Sequence, residues 1–153
     1  MLKQGNKAPA FRGMTEDGPV SLKDLKGSHI VLYFYPKDDT PGCTMEACAF
    51  RDNLPKFKRM NAKVYGVSKD DLKSHKKFAE KFELPFPLIS DEDGSICDSF
   101  GTWGEKSMYG RKYMGIDRAT FLIDAEGIIR HIWRKVKVPG HVDEVYEAVK
   151  NIK

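Results

Sequence analysis

The chain has 153 residues, of which 41% are hydrophobic and 31% are charged, and this length fits a single domain over residues 1–153. Its formal net charge of +4 comes from acidic and basic residues that alternate along the chain, which argues against a nucleic-acid binder with one concentrated basic face. The longest strongly apolar run covers residues 30–35, far fewer than the ~20 residues that cross a bilayer. We therefore expect no membrane partner and, because no secretory signal pattern opens the chain, no export.

The cysteine count bears on the redox compartment. Secreted disulfide frameworks usually carry an even number of cysteines in shorter chains. This chain has three, which fits a reducing, cytoplasmic setting better. Cysteines in that setting are buried, metal-bound or reactive.

The predicted elements alternate between strands and helices after a loop-rich segment at residues 1–18. Apolar runs and helical periodicity predict, in chain order, a buried strand at 29–35, a helix at 41–60, a strand at 63–67, a helix at 70–82, a short strand or extended segment at 86–89, a short helix at 95–100, a loop or hairpin at 101–115, strands at 119–123 and 128–133, and a closing helix at 140–152. Pro55 should kink or interrupt the first helix because it lacks an N–H donor. This order predicts an α/β protein with a mixed central sheet flanked by helices, in a thioredoxin-like layout.

The most informative segment joins the first buried strand to the first helix. Such a junction is where open α/β sheets place their sites. Thr40 stands at the N-cap and Pro41 suits the first helical position, so Cys43 is the third residue of the helix. Free backbone N–H groups and the positive end of the helix dipole favour an anion there, which predicts a raised fraction of the nucleophilic thiolate at neutral pH. A cysteine that merely packs at the helix start is the weaker alternative.

Cys48 follows five residues later, and this spacing limits what the two thiols can do. In an intact helix their Cα atoms lie about 8–9 Å apart, whereas a disulfide requires roughly 7 Å or less. Either the pair never bonds, with Cys48 a core thiol on the buried face of the helix, or bonding requires the first helical turns to unwind. The spacing also differs from Cys-x-x-Cys, which makes a disulfide reductase a weaker alternative.

The remaining chemistry-bearing residues have simpler interpretations. Cys97 stands alone on a short helix and is interpreted as a buried structural thiol. The four histidines lack ligand spacing, so no metal site is expected. Arg118 opens a predicted strand, and the residues alone favour an exposed charge. A non-catalytic module that binds nucleic acid or another acidic partner through residues 134–137 is a further, weaker alternative.

Several segments together resemble a known family. Residues 36–43, Pro-Lys-Asp-Asp-Thr-Pro-Gly-Cys, match the Pro-x-x-x-Thr-x-x-Cys motif of peroxiredoxins. Segments at 40–48, 86–91, 108–110, 118–121 and 133–141 are similar to the bacterioferritin comigratory protein, or peroxiredoxin Q, subfamily. The likeness runs from about Gly5 to the C-terminus.

The resemblance implies roles for the residues of the motif. Cys43 matches the peroxidatic cysteine, which attacks the terminal peroxide oxygen and becomes a sulfenic acid. Thr40 would hydrogen-bond the peroxide and the thiolate, and Pro36 would shield the sulfenic acid from water. Arg118 matches the arginine that steadies the thiolate and polarises the peroxide, which replaces the exposed charge inferred above. Glu46 matches a polar position three residues after the peroxidatic cysteine.

The resemblance also implies a reaction cycle. Cys48 matches the resolving cysteine of members with five-residue spacing; other members carry that cysteine on the next helix, where the matching position is Ala79. The expected enzyme is an antioxidant thiol peroxidase for hydrogen peroxide and organic hydroperoxides that forms a Cys43–Cys48 disulfide after local unwinding. Thioredoxin or a similar dithiol protein would reduce that disulfide. The resemblance implies a monomer that needs no metal or organic cofactor.

Overall fold

The fold is built on one mixed sheet. The structure, a computed structural model, describes residues 2–152 of the chain. The strands are β1 (Arg12–Thr15), β2 (Gly18–Ser21), β3 (His29–Phe34), β4 (Ala62–Ser68), β5 (Leu88–Ser90), β6 (Trp103–Met108), β7 (Arg111–Ile116), β8 (Ala119–Ile123) and β9 (Ile129–Trp133). The helices are α1 (Pro41–Arg59), α2 (Leu72–Phe82), α3 (Ser95–Phe100) and α4 (His141–Lys150). Seven strands form the sheet in the order β2-β1-β5-β4-β3-β8-β9, and β6 pairs with β7 in a separate hairpin. The predicted α/β class with a mixed sheet is confirmed.

Strand β3 lies in the middle of the sheet and separates two apolar layers. Successive side chains of a strand point to opposite faces. Ile30, Leu32 and Phe34 therefore join the cluster that contains α3, whereas Val31 and Tyr33 join the cluster packed against α1, α2 and α4. Both faces of β3 are thus covered, as its continuous apolar sequence predicts.

The two strands beside β3 bring distant segments to the start of α1. β4 runs parallel to β3, and β8 runs antiparallel to it with Phe34 opposite Ala119. Because of that register, the residue before Ala119 lies next to the turn that follows β3. The residue is Arg118, and its backbone carbonyl is held by the amide of Val136 at 3.0 Å.

The N-terminal segment is more regular than the sequence suggests. Residues 1–18 were expected to be loop-rich, but β1 and β2 form an antiparallel hairpin, and β1 pairs with β5 at Met14 and Ser90. A Cβ at Gly13 would lie 2.4 Å from the Ile89 side chain, so glycine allows this close packing. The hairpin depends on a strand far along the chain, and a local sequence pattern does not reveal it.

Pro55 does not interrupt α1, contrary to expectation. The helix runs from Pro41 to Arg59 with Pro55 inside it. Pro55 is exposed, whereas Leu54 and Phe57 on either side are buried against the sheet. Solvent can therefore hydrogen-bond the carbonyl that loses its partner, while apolar packing keeps the helix in place. Within residues 2–152, no helix combines the length and hydrophobicity needed to cross a membrane.

Candidate active site

Cys43 lies in the first turn of α1, beyond the C-terminal end of the central strand β3. Thr40 is the N-cap and Pro41 the first helical residue, so the predicted third helical position of Cys43 is confirmed. Its side chain is 1% exposed. The structure therefore places a buried thiol beside the free amides of a long helix, where a thiolate is favoured.

The guanidinium of Arg118 reaches the sulfur directly. Arg118 Nη2 lies 3.3 Å from Cys43 Sγ, within the hydrogen-bond range for sulfur. Gly42 permits this contact, since a Cβ at that position would lie 3.2 Å from Nη2. Burial lowers the pKa of Arg118, but the neighbouring charges of Glu46 and Cys43 raise it by more. The pKa therefore lies above its ordinary value, and the guanidinium stays charged. The expectation of an exposed charge at Arg118, drawn from the residues alone, was wrong.

Glu46 completes a buried triad with Arg118 and Cys43. Glu46 Oε1 accepts a hydrogen bond from Arg118 Nη1 at 2.8 Å, and the carboxylate is fully buried. Its second oxygen, Oε2, has no hydrogen-bond partner within residues 2–152. Burial raises the pKa of Glu46 from 4.5 to about 7, against the lowering effect of Arg118. One guanidinium thus contacts both the Glu46 carboxyl group and the Cys43 sulfur.

Thr40 and Pro36 lie in the turn that joins β3 to α1. Thr40 is half-buried, and its hydroxyl donates to the Lys37 carbonyl at 2.9 Å. The hydroxyl makes no hydrogen bond to the helix amides as a cap, so α1 begins without the side-chain cap that its N-cap residue could supply. Pro36 is half-buried at the end of β3. The expected contact between Thr40 and the sulfur is not formed in this state.

The three cysteines differ in environment. All are free thiols, with Cys48 half-buried and the other two buried. Cys43 and Cys48 lie within the same unbroken helix, as the spacing argument assumes. Cys97 is fully buried on α3, where burial and then Asp91 raise the pKa of its thiol well above the ordinary value. The predicted burial of Cys97 is thus confirmed, and its structural role stays a prediction.

A second polar cluster, formed by Asp38, Asp70 and His75, lies behind the turn. Their ligand-type atoms are within 4.8 Å of one another, a spacing that a metal ion would accept. The ligand atoms are instead hydrogen-bonded to protein groups: Asp38 binds His75, and Asp70 accepts from the Asp38 amide. The sequence motif contains Asp38, but its partner His75 lies 37 residues away, and no local signal connects the two.

The basic stretch at residues 134–137 is only partly engaged by the fold. Arg134 donates to the carbonyls of Gly101 and Phe100 and lies over the Phe121 ring at 5.3 Å. The amide of Val136 donates to the backbone carbonyl of Arg118, directly before β8. Lys135 and Lys137 are exposed.

Comparison with known proteins finds a matching family and similar folds elsewhere. The AhpC/TSA family profile matches residues 4–132. Peroxiredoxin Bcp of Bacillus subtilis is 48% identical over 152 residues, covering 99% of this chain and 97% of that protein. PrxQ of Xylella fastidiosa superposes with a TM-score of 0.92 at 41% identity, over 98% of this chain and 96% of the other.

A third similar protein has been studied for its chemistry. The bacterioferritin comigratory protein of Xanthomonas campestris was solved as trapped intermediate/ligand complexes that address its alkyl peroxide reduction activity. It superposes with a TM-score of 0.87 at 45% identity, over 92% of this chain and 90% of the other.

Proposed function

Because this chain belongs to the AhpC/TSA family and is a peroxiredoxin, a thiol peroxidase that acts through a peroxidatic cysteine, we propose that Cys43 is that cysteine and that residues 1–153 form a single catalytic domain. The supporting observation is the 3.3 Å contact between Cys43 Sγ and Arg118 Nη2 at a helix N-terminus. Within residues 2–152, no arginine forms a hydrogen bond to the sulfur of Cys48 or Cys97. In the part of the chain that the structure describes, Cys43 alone combines a thiol, a hydrogen-bonded guanidinium and the first turn of a long helix.

The first step is an attack by the thiolate on the distal oxygen of the peroxide. The O–O bond breaks, Cys43 becomes a sulfenic acid, and the leaving alkoxide or hydroxide takes up a proton to give an alcohol or water. Arg118 stabilises the charge that moves from sulfur to the leaving oxygen. Thr40 donates its only proton to Lys37, so we assign its hydroxyl to accept the peroxide O–H. Pro36 covers the approach and Glu46 holds Arg118 in place.

The second step joins Cys43 to Cys48. The Cys48 thiol displaces the sulfenic oxygen as water and forms the disulfide. The two residues are held apart while α1 is intact, so the first turns must unwind. The contacts that oppose this unwinding are the Thr44 amide on the Thr40 carbonyl at 2.8 Å and the Glu46–Arg118 ion pair at 2.8 Å. Their loss accompanies resolution.

The cycle closes when a dithiol reduces the disulfide by exchange. A peroxide substrate and a thiol reductant follow from membership in the family. We assign hydrogen peroxide and organic hydroperoxides as substrates, thioredoxin or a similar protein as reductant, a monomer as the active form and a reducing cytoplasm as the compartment. The alkyl peroxide activity studied in the Xanthomonas campestris protein supports the organic substrates, and three free thiols support a reducing compartment.

Mass spectrometry after one molar equivalent of peroxide tests the assignment. We expect a peptide pair linked through Cys43 and Cys48 in the wild-type enzyme. Cys43→Ser should abolish peroxide consumption. Cys48→Ser should consume one equivalent, accumulate a sulfenic acid that dimedone traps, and fail to recycle with thioredoxin.

Cys97→Ser is the matched control, because it also removes one thiol but leaves the proposed pair intact. It should yield the same linked peptides as the wild type. Peroxide turnover by Cys43→Ser would refute the nucleophile, and a linkage through Cys97 would refute Cys48 as the resolving residue. An insulin-reduction assay under the same conditions separates this function from the disulfide reductase alternative, which predicts activity there.

A further inference from the structure

The Asp38 carboxylate is the centre of a buried hydrogen-bond network behind the motif turn. It is 7% exposed and accepts from Tyr35 Oη at 2.5 Å, Ser74 Oγ at 2.7 Å and His75 Nδ1 at 2.7 Å. The donors come from the end of β3 and from α2. Three hydrogen bonds on one buried carboxylate fix its position.

The partners of His75 determine its protonation. Nδ1 faces the Asp38 carboxylate, and Nε2 lies 3.0 Å from the Ile89 carbonyl oxygen. Both partners offer acceptor oxygens, an arrangement that suits a ring with a proton on each nitrogen, the imidazolium. Burial lowers the pKa of His75, but the hydrogen bond and charge of Asp38, the Ile89 carbonyl and the charge of Asp70 raise it above its ordinary value. The ring of Tyr35 packs near His75, at 6.4 Å between centroids.

The main chain at Asp38 is fixed as firmly as its side chain. Its amide donates to Asp70 Oδ2 at 2.8 Å, which also accepts from Ser68 Oγ at 2.7 Å. The next residue, Asp39, has the left-handed φ of 57°, a strained conformation for a residue with a Cβ that persists where the surroundings enforce it. The network at Asp38 supplies that enforcement.

The fixed turn determines where the catalytic groups stand. Lys37 precedes Asp38, and its carbonyl accepts from the Thr40 hydroxyl at 2.9 Å. Thr40 is followed within three residues by Cys43. A shift at Asp38 therefore moves the Thr40 hydroxyl relative to the sulfur, although neither His75 nor Asp38 hydrogen-bonds the thiol among residues 2–152.

We propose that His75 is a positioning residue for peroxide reduction, an imidazolium that clamps Asp38 and so orients Thr40 against Cys43. The clamp acts on the geometry of the peroxide site and leaves the intrinsic reactivity of the sulfur to Arg118 and the helix. The inference rests on the proposed roles of Thr40 and Cys43.

Two reactions of the reduced enzyme separate positioning from general damage. Peroxide needs the oriented Thr40 hydroxyl, whereas iodoacetamide needs only an accessible thiolate. In His75→Gln we expect the second-order rate constant with hydrogen peroxide, followed by stopped-flow fluorescence, to fall about tenfold or more, as the loss of a charge-assisted hydrogen bond allows. The alkylation rate of Cys43 should stay within about twofold.

His131→Gln is the matched control, because His131 is half-buried on β9 and stacks on Trp133 away from the turn. Both of its rate constants should equal those of the wild type. An unchanged peroxide rate in His75→Gln overturns the proposal, and so does an equal fall of both rates, which would mean that the site is merely disordered. A wild-type enzyme inert toward peroxide would instead refute the catalytic assignment itself.

Nitrogen-15 NMR of the wild-type ring tests the protonation without any variant. We expect both ring nitrogens of His75 to carry protons at about pH 7.5, with chemical shifts typical of imidazolium. A neutral tautomer at that pH would overturn the clamp even if no His75 variant folds.

Discussion

Replacing Arg118 with methionine removes the guanidinium while keeping most of the side-chain length. The substitution removes two contacts of the guanidinium: the 3.3 Å hydrogen bond to Cys43 Sγ and the 2.8 Å ion pair with Glu46. Glu46 already resists ionisation, with a pKa of about 7, and without Arg118 its burial keeps it protonated. No buried negative charge is then left unpaired, and the change acts mainly on the sulfur and on the transition state.

The magnitude follows from the charge that moves during the reaction. A preorganised donor to a developing oxyanion is worth about 3–4 kcal/mol, or roughly 10²–10³ in rate. We therefore expect the rate constant of reduced Arg118→Met with hydrogen peroxide to fall by roughly 10²–10³, and that of Arg118→Lys to fall less because it keeps a point charge.

Stopped-flow fluorescence under single-turnover conditions measures this rate constant. Arg134→Met is the matched control, since it makes the same change of charge and size at a guanidinium that contacts the backbone carbonyls of residues 100 and 101 and the Phe121 ring rather than the sulfur. The reasoning fails if Arg118→Met reacts within about threefold of the wild type, less than 1 kcal/mol, or if the control loses as much.

Three further variants separate stability from chemistry. Gly42→Ala should raise the free energy of unfolding by up to about 1 kcal/mol through helix propensity. It should nevertheless slow the peroxide reaction several-fold, because the new Cβ would lie 3.2 Å from Arg118. Urea unfolding measures the stability and stopped-flow kinetics the rate, and an unchanged rate would contradict this prediction. The unfolded Glu46 ionises near 4.5 and the folded one near 7, so folding stability should fall as pH rises through that window, by about 3 kcal/mol at most. Urea unfolding at several pH values should show a flatter profile for Glu46→Gln, and identical profiles would contradict the burial of this carboxylate. Cys97→Ala should keep steady-state peroxide turnover within about twofold while its unfolding free energy drops by about 1–2 kcal/mol; a loss of turnover without a loss of stability would assign Cys97 a redox role.

The helix-terminal thiol was predictable because its determinants are local. An apolar β-branched run, a turn, a threonine at the N-cap and a proline at the first helical position follow one another without a gap between His29 and Cys43. Each acts through the backbone of its immediate neighbours. The strand, the helix start and the position of Cys43 therefore follow from sequence alone, and the structure confirms them.

The partners of that thiol were not predictable from the residues, because they depend on sheet register. Arg118 lies 75 residues from Cys43 and reaches it because β8 pairs with β3 so that Ala119 faces Phe34. Resemblance to a family identified Arg118, whereas the local pattern made it an exposed charge. The histidines show no ligand spacing in the sequence, and nothing near His75 indicated Asp38 as its partner.

The sequence by itself determined the regular elements and the chemistry of the motif, since hydrophobic periodicity and capping act over a few residues. Only the tertiary structure decided that residues 12–21 form a hairpin, that α1 continues through Pro55, and that Arg118 bridges Cys43 and Glu46. In each case the deciding free energy comes from packing or pairing between segments distant in the chain. Local propensity carries no information about those contacts.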